Sequence, residues 1–88
     1  MINPKAYEIL PGHMRTGMQQ YIEHGIPPGD FLSAVLSNNF MEAFARADDI
    51  NTYSMKQYAI FLYNYAPPGS YGSKENFLSW MERKGFGK

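Results

Sequence analysis

Proline and glycine divide this chain at three places, and these breaks limit how long any helix or strand can be. They are Pro11-Gly12, Pro27-Pro28-Gly29 and Pro67-Pro68-Gly69. Proline lacks a backbone N–H and glycine favours turns, so each break ends the element before it. An N-terminal arm of residues 1–11 and three longer segments remain within 88 residues. Because a chain of this length has room for one small domain, we expect residues 1–88 to form a single domain.

Apolar residues recur at helical spacing in all three segments. They predict four helices with approximate bounds 13–24, 30–47, 51–65 and 74–84. Three candidate caps agree with these bounds: Gly25 follows the first helix, Asp30 begins the second, and Ser73 precedes the fourth. No stretch alternates strictly between apolar and polar residues, as a half-buried strand would. The sequence therefore predicts an all-α fold, a compact small domain of three to four helices.

The boundary between the second and third predicted helices is open to two interpretations. Asp48-Asp49 can mark a loop or only a kink in a longer helix. Asn51 or Thr52 can cap the helix that follows, and Asp49 is also well placed to do so. The predicted number of helices therefore depends on this acidic pair.

The charge balance limits the class of partner. Eight Lys+Arg and eight Asp+Glu give a formal net charge of zero, whereas nucleic-acid coats and polybasic membrane binders need a basic excess. The longest apolar stretch, residues 58–63, is far shorter than the roughly 20 residues of a membrane span. The sequence contains no cysteine, and because its first residues lack a charged segment followed by an apolar one, we expect no secretory signal. We expect a cytoplasmic protein that binds neither DNA, RNA polymers nor membranes, but that can bind small anions.

Few side chains are available for catalysis. His13 and His24 lie eleven residues apart, so they do not share one metal ion. Asp48-Asp49 occupy adjacent positions, which point about 100° apart on a helix. Arg46 can form a local ion pair with Glu42 at i,i+4 or with Asp49 at i,i+3. We therefore expect a protein that is not an enzyme and holds no metal or cofactor.

Both Pro-Pro-Gly turns lead into a predicted helix, whose free N–H groups favour an anion. Pro28, Gly29 and Ser33 are the candidates at the first turn. Ser73 and Lys74 follow the second turn, where a hydroxyl and a cation suit a nucleotide phosphate. For either turn alone, a plain turn with capping residues is the explanation that the residues favour.

The N-terminal arm offers a second kind of candidate. Lys5 and Tyr7 lie two residues apart on a segment that the core need not fix. A stacked base and a neutralised phosphate would fit this pair. The alternative is that the aromatic ring packs against a neighbouring element.

An ordered set of residues resembles a known protein family. Its longest part runs from Tyr21 to Leu36 and reads YIEHGIPPGDFLSAVL. It continues with Asn38-Asn39, Arg46-Ala47-Asp48, Asn51, Pro67, Gly72-Ser73 and Trp80. In these residues the chain resembles a widespread family of short tailed-phage proteins, the anti-CBASS cyclic-nucleotide sponges of T-even type phages. The ordered combination covers most of the chain and is far more specific than any one piece.

The resemblance implies a symmetric homo-oligomer, a hexamer, that sequesters cyclic di- and trinucleotides in the host cell cytoplasm without hydrolysing them. It implies that dinucleotides bind between paired protomers through a stacking tyrosine and a lysine, for which Tyr7 and Lys5 are the candidates. A separate trinucleotide site near the start of the second helix falls on Gly29 and Ser33. Arg46 is the candidate phosphate partner.

Two other functions remain as alternatives. One is a phage adaptor that inhibits a host protein directly through an aromatic and Met-rich helical face. The other is a phosphodiesterase acting on the same signals, for which the sequence offers no base or metal site. Two residues depart from the family pattern. The Asp30 carboxylate is unfavourable beside a phosphate unless it turns away as a cap, and Tyr71 stands where the family pattern has tryptophan.

Overall fold

The computed structural model describes residues 2–85, and every regular element in this range is a helix. Two short 3-10 helices, Pro4–Ile9 and Gly12–Met14, come first. Six α-helices follow: α1 (Arg15–His24), α2 (Asp30–Leu36), α3 (Phe40–Arg46), α4 (Asp49–Tyr53), α5 (Met55–Asn64) and α6 (Lys74–Arg83). No strand occurs among the described residues. The prediction of a compact, all-α small domain is confirmed, but three to four helices was too low a number.

The predicted helix over 30–47 is two helices, because the polar run Ser37-Asn38-Asn39 interrupts it. Asn38 has a φ of +59°, a left-handed conformation that asparagine tolerates better than most residues. The Asn39 side chain then caps α3 by accepting a hydrogen bond from the Glu42 N–H at 3.3 Å. The N-cap of α2 is Gly29 rather than Asp30, which is the first helical residue.

The predicted helix over 51–65 also divides into two helices. Asp48 caps α4, since its Oδ1 accepts the Asn51 N–H at 2.7 Å. The proposed caps Asp49, Asn51 and Thr52 are therefore wrong, and Asn51 is instead buried. Its Oδ1 accepts a hydrogen bond from the Tyr58 hydroxyl at 2.7 Å, which ties α4 to α5.

Two predicted caps are confirmed. Ser73 Oγ accepts the Asn76 N–H at 3.0 Å at the start of α6. Gly25 ends α1 with a φ of +70°. A Cβ at Gly25 would lie 2.6 Å from Lys84 Cβ, closer than two carbon atoms can approach. Glycine is needed here both for its left-handed backbone and because the ends of α1 and α6 are in close contact.

The core is formed by the N-terminal segment together with α1, α2, α3, α5 and α6. Its buried apolar side chains are Ala6, Tyr7, Leu10, Met18, Tyr21, Ile22, Phe31, Leu32, Ala34, Leu36, Ala43, Tyr58, Phe61, Leu62, Phe77 and Trp80. The Tyr21 hydroxyl donates to the Ser70 carbonyl at 2.8 Å. This bond fixes the loop before α6 to the first helix, 49 residues earlier in the chain.

The N-terminal arm packs onto the core. Its 3-10 helix contacts α1 and α5, and Tyr7 is only 3% exposed. Leu10 is also buried, and its carbonyl accepts from Arg15 Nε at 3.0 Å. Of the two alternatives for this arm, the structure has the aromatic ring packed against neighbouring elements. Within residues 2–85, no helix has the length and apolar character needed to cross a membrane.

Stability should fall in alkaline solution because three buried tyrosines must ionise. Burial raises the pKa of Tyr7 from its ordinary 10.0 to about 12 and raises the pKa values of Tyr21 and Tyr58 as well. The folded state thus holds these protons more tightly than the unfolded state. Their contribution is fully present below about pH 10 and is lost as the pH rises through the folded-state pKa values.

We expect the urea midpoint to be level from about pH 7 to 9 and to fall between about pH 10 and 12. Urea unfolding followed by circular dichroism, with tyrosinate absorbance recorded in parallel, measures this. Titration of all seven tyrosines in one step near pH 10, with the helical signal intact, would contradict it.

Candidate functional site

A polar groove of about 350 Å³ lies where α2, α3 and the start of α6 meet. It is lined by Asp30, Ser33, Ala34, Ser37, Asn39, Glu42, Arg46, Lys74 and Phe77. Three of the residues singled out in the sequence, Ser33, Arg46 and Lys74, lie on it. They come from three different helices, so the tertiary fold brings them together.

Arg46 occupies the centre of the charge pattern in this groove. Its Nε donates to Glu42 Oε1 at 2.7 Å, and one terminal nitrogen lies 3.6 Å from Asp30 Oδ2. The hydrogen bond to Glu42 raises the pKa of Arg46 further above its ordinary value. Of the two partners expected for Arg46, Glu42 is the one found and Asp49 is not. The approach of Asp30 from α2 could not be predicted from local spacing. With Lys74, the groove carries two cations and two carboxylates.

Ser33 and Pro28 are linked directly. Ser33 Oγ donates to the Pro28 carbonyl at 3.2 Å, which leaves the hydroxyl oxygen free to accept a hydrogen bond. Gly29 is exposed, has no heavy atom near its hypothetical Cβ, and does not line the groove. The next residue is the acidic Asp30, so the Pro27–Gly29 turn does not present a simple anion cradle.

A larger apolar cavity of about 540 Å³ adjoins the polar groove. Its lining residues are Ala34, Val35, Asn38, Asn39, Phe40, Ala43, Phe44, Met55, Lys56, Tyr58, Ala59, Leu62, Tyr63, Tyr71 and Gly72. Ala34 and Asn39 line both spaces. One ligand can therefore place a flat aromatic group in the cavity and a polar group in the groove.

One long-range hydrogen bond positions both spaces. The Gly72 N–H donates to the Leu36 carbonyl at 3.0 Å, which holds the segment before α6 against the end of α2. This contact places Tyr71 on the apolar cavity and Lys74 on the polar groove. Ser73 lies between them, but its hydroxyl caps α6 and it lines neither space.

The apolar cavity was not predictable from helical spacing or from the turn motifs. Phe40 and Phe44 lie one turn apart on α3, with their ring centroids 4.8 Å apart in an edge-to-face arrangement. Both are exposed although the surrounding sequence is strongly apolar. The cluster of tyrosines in the second half of the chain was a usable signal, because a small core cannot bury them all.

Tyr7 and Lys5 lie apart from both spaces. The Tyr7 ring packs on Phe61 with 5.3 Å between centroids, and neither Tyr7 nor Lys5 lines the groove or the cavity. The Tyr7 hydroxyl is buried without a hydrogen-bond partner. Lys5 is exposed, and its backbone N–H donates a hydrogen bond to Asn3 Oδ1 at 2.9 Å. The structure thus does not offer the Tyr7 ring as an open stacking surface.

The acidic and histidine side chains are dispersed. His13 Nε2 lies 3.0 Å from Asp48 Oδ2, and Asp48 also accepts the Asn51 N–H. The hydrogen bond from the Asn51 N–H lowers the pKa of Asp48, and the hydrogen bond with His13 lowers it to a smaller extent. Among residues 2–85, no group of three or more His, Cys, Asp and Glu side chains is arranged to hold a metal ion.

Comparison of the chain with protein-family models, curated proteins and solved structures gave no match.

Proposed function

We propose that this chain is a non-enzymatic phage counter-defence protein, which acts in the host cell cytoplasm by sequestering cyclic di- and trinucleotides that carry CBASS signals. The observation that supports this best is the adjacency of the polar groove and the apolar cavity, which share Ala34 and Asn39. A cyclic nucleotide carries phosphodiesters and flat bases in one small molecule. It therefore has a chemical group for each space.

Each space has side chains suited to one part of this ligand. Arg46 and Lys74 can donate charge-assisted hydrogen bonds to phosphate oxygens. Ser33 adds a hydroxyl beside them. Tyr63 and Tyr71 line the apolar cavity, where aromatic rings can stack on a base.

The proposal includes assembly into a homo-oligomer, with a hexamer expected from the family resemblance. Several apolar side chains stand in solvent, among them Met41 at 76% and Tyr63 at 84% exposure. Phe40 and Tyr53 are similarly exposed. A second copy that covers these residues would bury apolar area and narrow the open cavity. We expect cyclic dinucleotides to bind at about one per two chains, with nanomolar affinity, on the order of −12 kcal/mol.

A second candidate function rests on the same exposed face. A host protein could dock on Phe40, Met41 and Tyr63 in place of another copy of the chain. In that case the chain would inhibit a host component directly and would not need to bind nucleotides.

Isothermal titration with a panel of cyclic di- and trinucleotides distinguishes these functions. Tight binding, followed by recovery of intact nucleotide after heat denaturation, supports a sponge. Absence of heat with every member would overturn the proposal and favour the host-protein adaptor. Recovery of cleaved nucleotide would overturn the non-enzymatic part.

Replacing Arg46 should weaken binding without unfolding the chain. Arg46→Gln removes the charge-assisted donor and leaves Asp30 and Glu42 in the groove, so we expect affinity for cyclic nucleotides to fall about tenfold to a hundredfold. Arg83→Gln removes the same charge from outside both spaces and is the matched control. Because Arg83 also lies over the Trp80 ring, circular dichroism of both variants is needed to establish that the fold is kept. Equal affinities for the two variants in the same titration would remove Arg46 from the site.

A further inference from the structure

The polar groove is neutral as a whole, although it holds two cations. Arg46 lies between Glu42 and Asp30, and Lys74 is the second cation on the lining. A ligand entering this groove meets two carboxylates as well as two donors. The number of negative charges on the ligand therefore matters more than it would in a basic groove.

Phosphodiesters and terminal phosphomonoesters differ in the number of negative charges that they carry. A diester linkage carries one negative charge per phosphate, whereas a phosphomonoester carries about 1.5 to 2 at pH 7. The extra charge of a monoester would face Asp30 and Glu42 at short range. This repulsion offsets part of the binding free energy that Arg46 and Lys74 contribute.

Resting on the proposed function, we infer that Asp30 makes the groove selective for phosphodiesters over terminal phosphomonoesters. The protein would thereby hold cyclic nucleotides while it disfavours linear nucleotides, including the ring-opened products of the same signals. Selectivity of this kind comes from repulsion of the wrong ligand rather than from added contacts to the right one.

Asp30 and Glu42 have different geometry and hence different roles. Glu42 accepts a 2.7 Å hydrogen bond from Arg46 and orients the guanidinium, so it is a positioning residue. Asp30 lies 3.6 Å from Arg46, and its side chain is 82% exposed. Removing the Asp30 charge should therefore leave Arg46 in place. Asp30→Asn is the variant that changes the charge of the groove with the least change in its shape.

The test uses three ligands with the same two bases: a cyclic dinucleotide, its ring-opened form with a terminal phosphate, and the ring-opened form without one. For the unaltered protein we expect the affinity order cyclic, then linear without phosphate, then linear with phosphate. In Asp30→Asn, affinity for the phosphate-terminated ligand should rise about fivefold relative to the cyclic one. Asp49→Asn is the matched control, because Asp49 is the first residue of α4, as Asp30 is of α2, and lines neither space.

The outcomes separate this inference from the function on which it rests. If the unaltered protein binds the cyclic dinucleotide and Asp30→Asn leaves the affinity ratios unchanged, the inference is overturned and the sponge function stands. If the two linear ligands bind equally weakly, ring closure rather than charge sets the selectivity, and the inference is again overturned. If no cyclic dinucleotide binds, both proposals fail. Circular dichroism of each variant establishes that the fold is kept.

Discussion

Trp80→Ala is expected to lower the free energy of unfolding by about 3–5 kcal/mol, the range found when large aromatic residues are truncated in a core. A domain of 88 residues has a total stability of about 4–13 kcal/mol. The substitution therefore removes a large part of the stability and leaves a substantial unfolded population.

The expected loss follows from the several contacts of one side chain. Trp80 is buried in α6, and its Nε1 donates to the carbonyls of Tyr21 and Ile22, each at 3.2 Å. Both carbonyls belong to the last turns of α1. The Lys84 ammonium and the Arg83 guanidinium lie 4.9 and 5.1 Å from the ring centroid, where cation–π attraction adds to the packing. Loss of the indole would thus weaken the packing of α6 on α1.

Urea denaturation followed by circular dichroism measures the effect, since Trp80 is the only tryptophan and its fluorescence is lost with it. Leu78→Ala, at a half-exposed position on the same helix, should cost far less. Trp80→Phe keeps most of the ring and removes the N–H, so its cost should lie between the two. Equal midpoints for Trp80→Ala and Leu78→Ala would show that α6 does not depend on this anchor.

The helical class and several element ends were predictable because they depend on local chemistry. Gly25 and Ser73 act within one turn of their own helices, and such caps can be recognised from the sequence. The break at Asn38 was not predictable in the same way. Its left-handed backbone lies next to the end of α2, where the Leu36 carbonyl accepts a hydrogen bond from the Gly72 N–H. A contact between residues so far apart in the chain leaves no periodic signal in the sequence.

The candidate site was likewise predictable only where it depends on local spacing. The Glu42–Arg46 pair follows from i,i+4 spacing. The convergence of Ser33 and Lys74 on Arg46 requires the packing of α2 against α3 and α6, so the sequence could suggest the residues but not their grouping. For Tyr7, the sequence left packing and ligand stacking as alternatives, and the structure has the ring in the core.

Tyr7→Ala is expected to destabilise the chain by about 3–5 kcal/mol, because its ring is buried against Phe61 and between the N-terminal segment and the helices it contacts. Tyr7→Phe should behave in the opposite way. The Tyr7 hydroxyl is buried without a partner, and an unpaired buried hydroxyl is unfavourable. Its removal should leave stability unchanged or raise it by up to about 1 kcal/mol.

This pair of variants separates the two roles that Tyr7 can have. Urea denaturation gives the stabilities, with Tyr53→Ala as the control at a tyrosine that stands almost wholly in solvent. Titration of the same samples with a cyclic dinucleotide then gives the affinity of the folded fraction. Because Tyr7 lines neither the groove nor the cavity, we expect Tyr7→Phe to bind as the unaltered protein does and Tyr7→Ala to lose binding only in proportion to unfolding. A Tyr7→Ala variant that is fully folded yet binds no nucleotide would instead make the ring part of the ligand site, as the family resemblance implies, and would require the N-terminal segment to leave the core when ligand or a second copy of the chain binds.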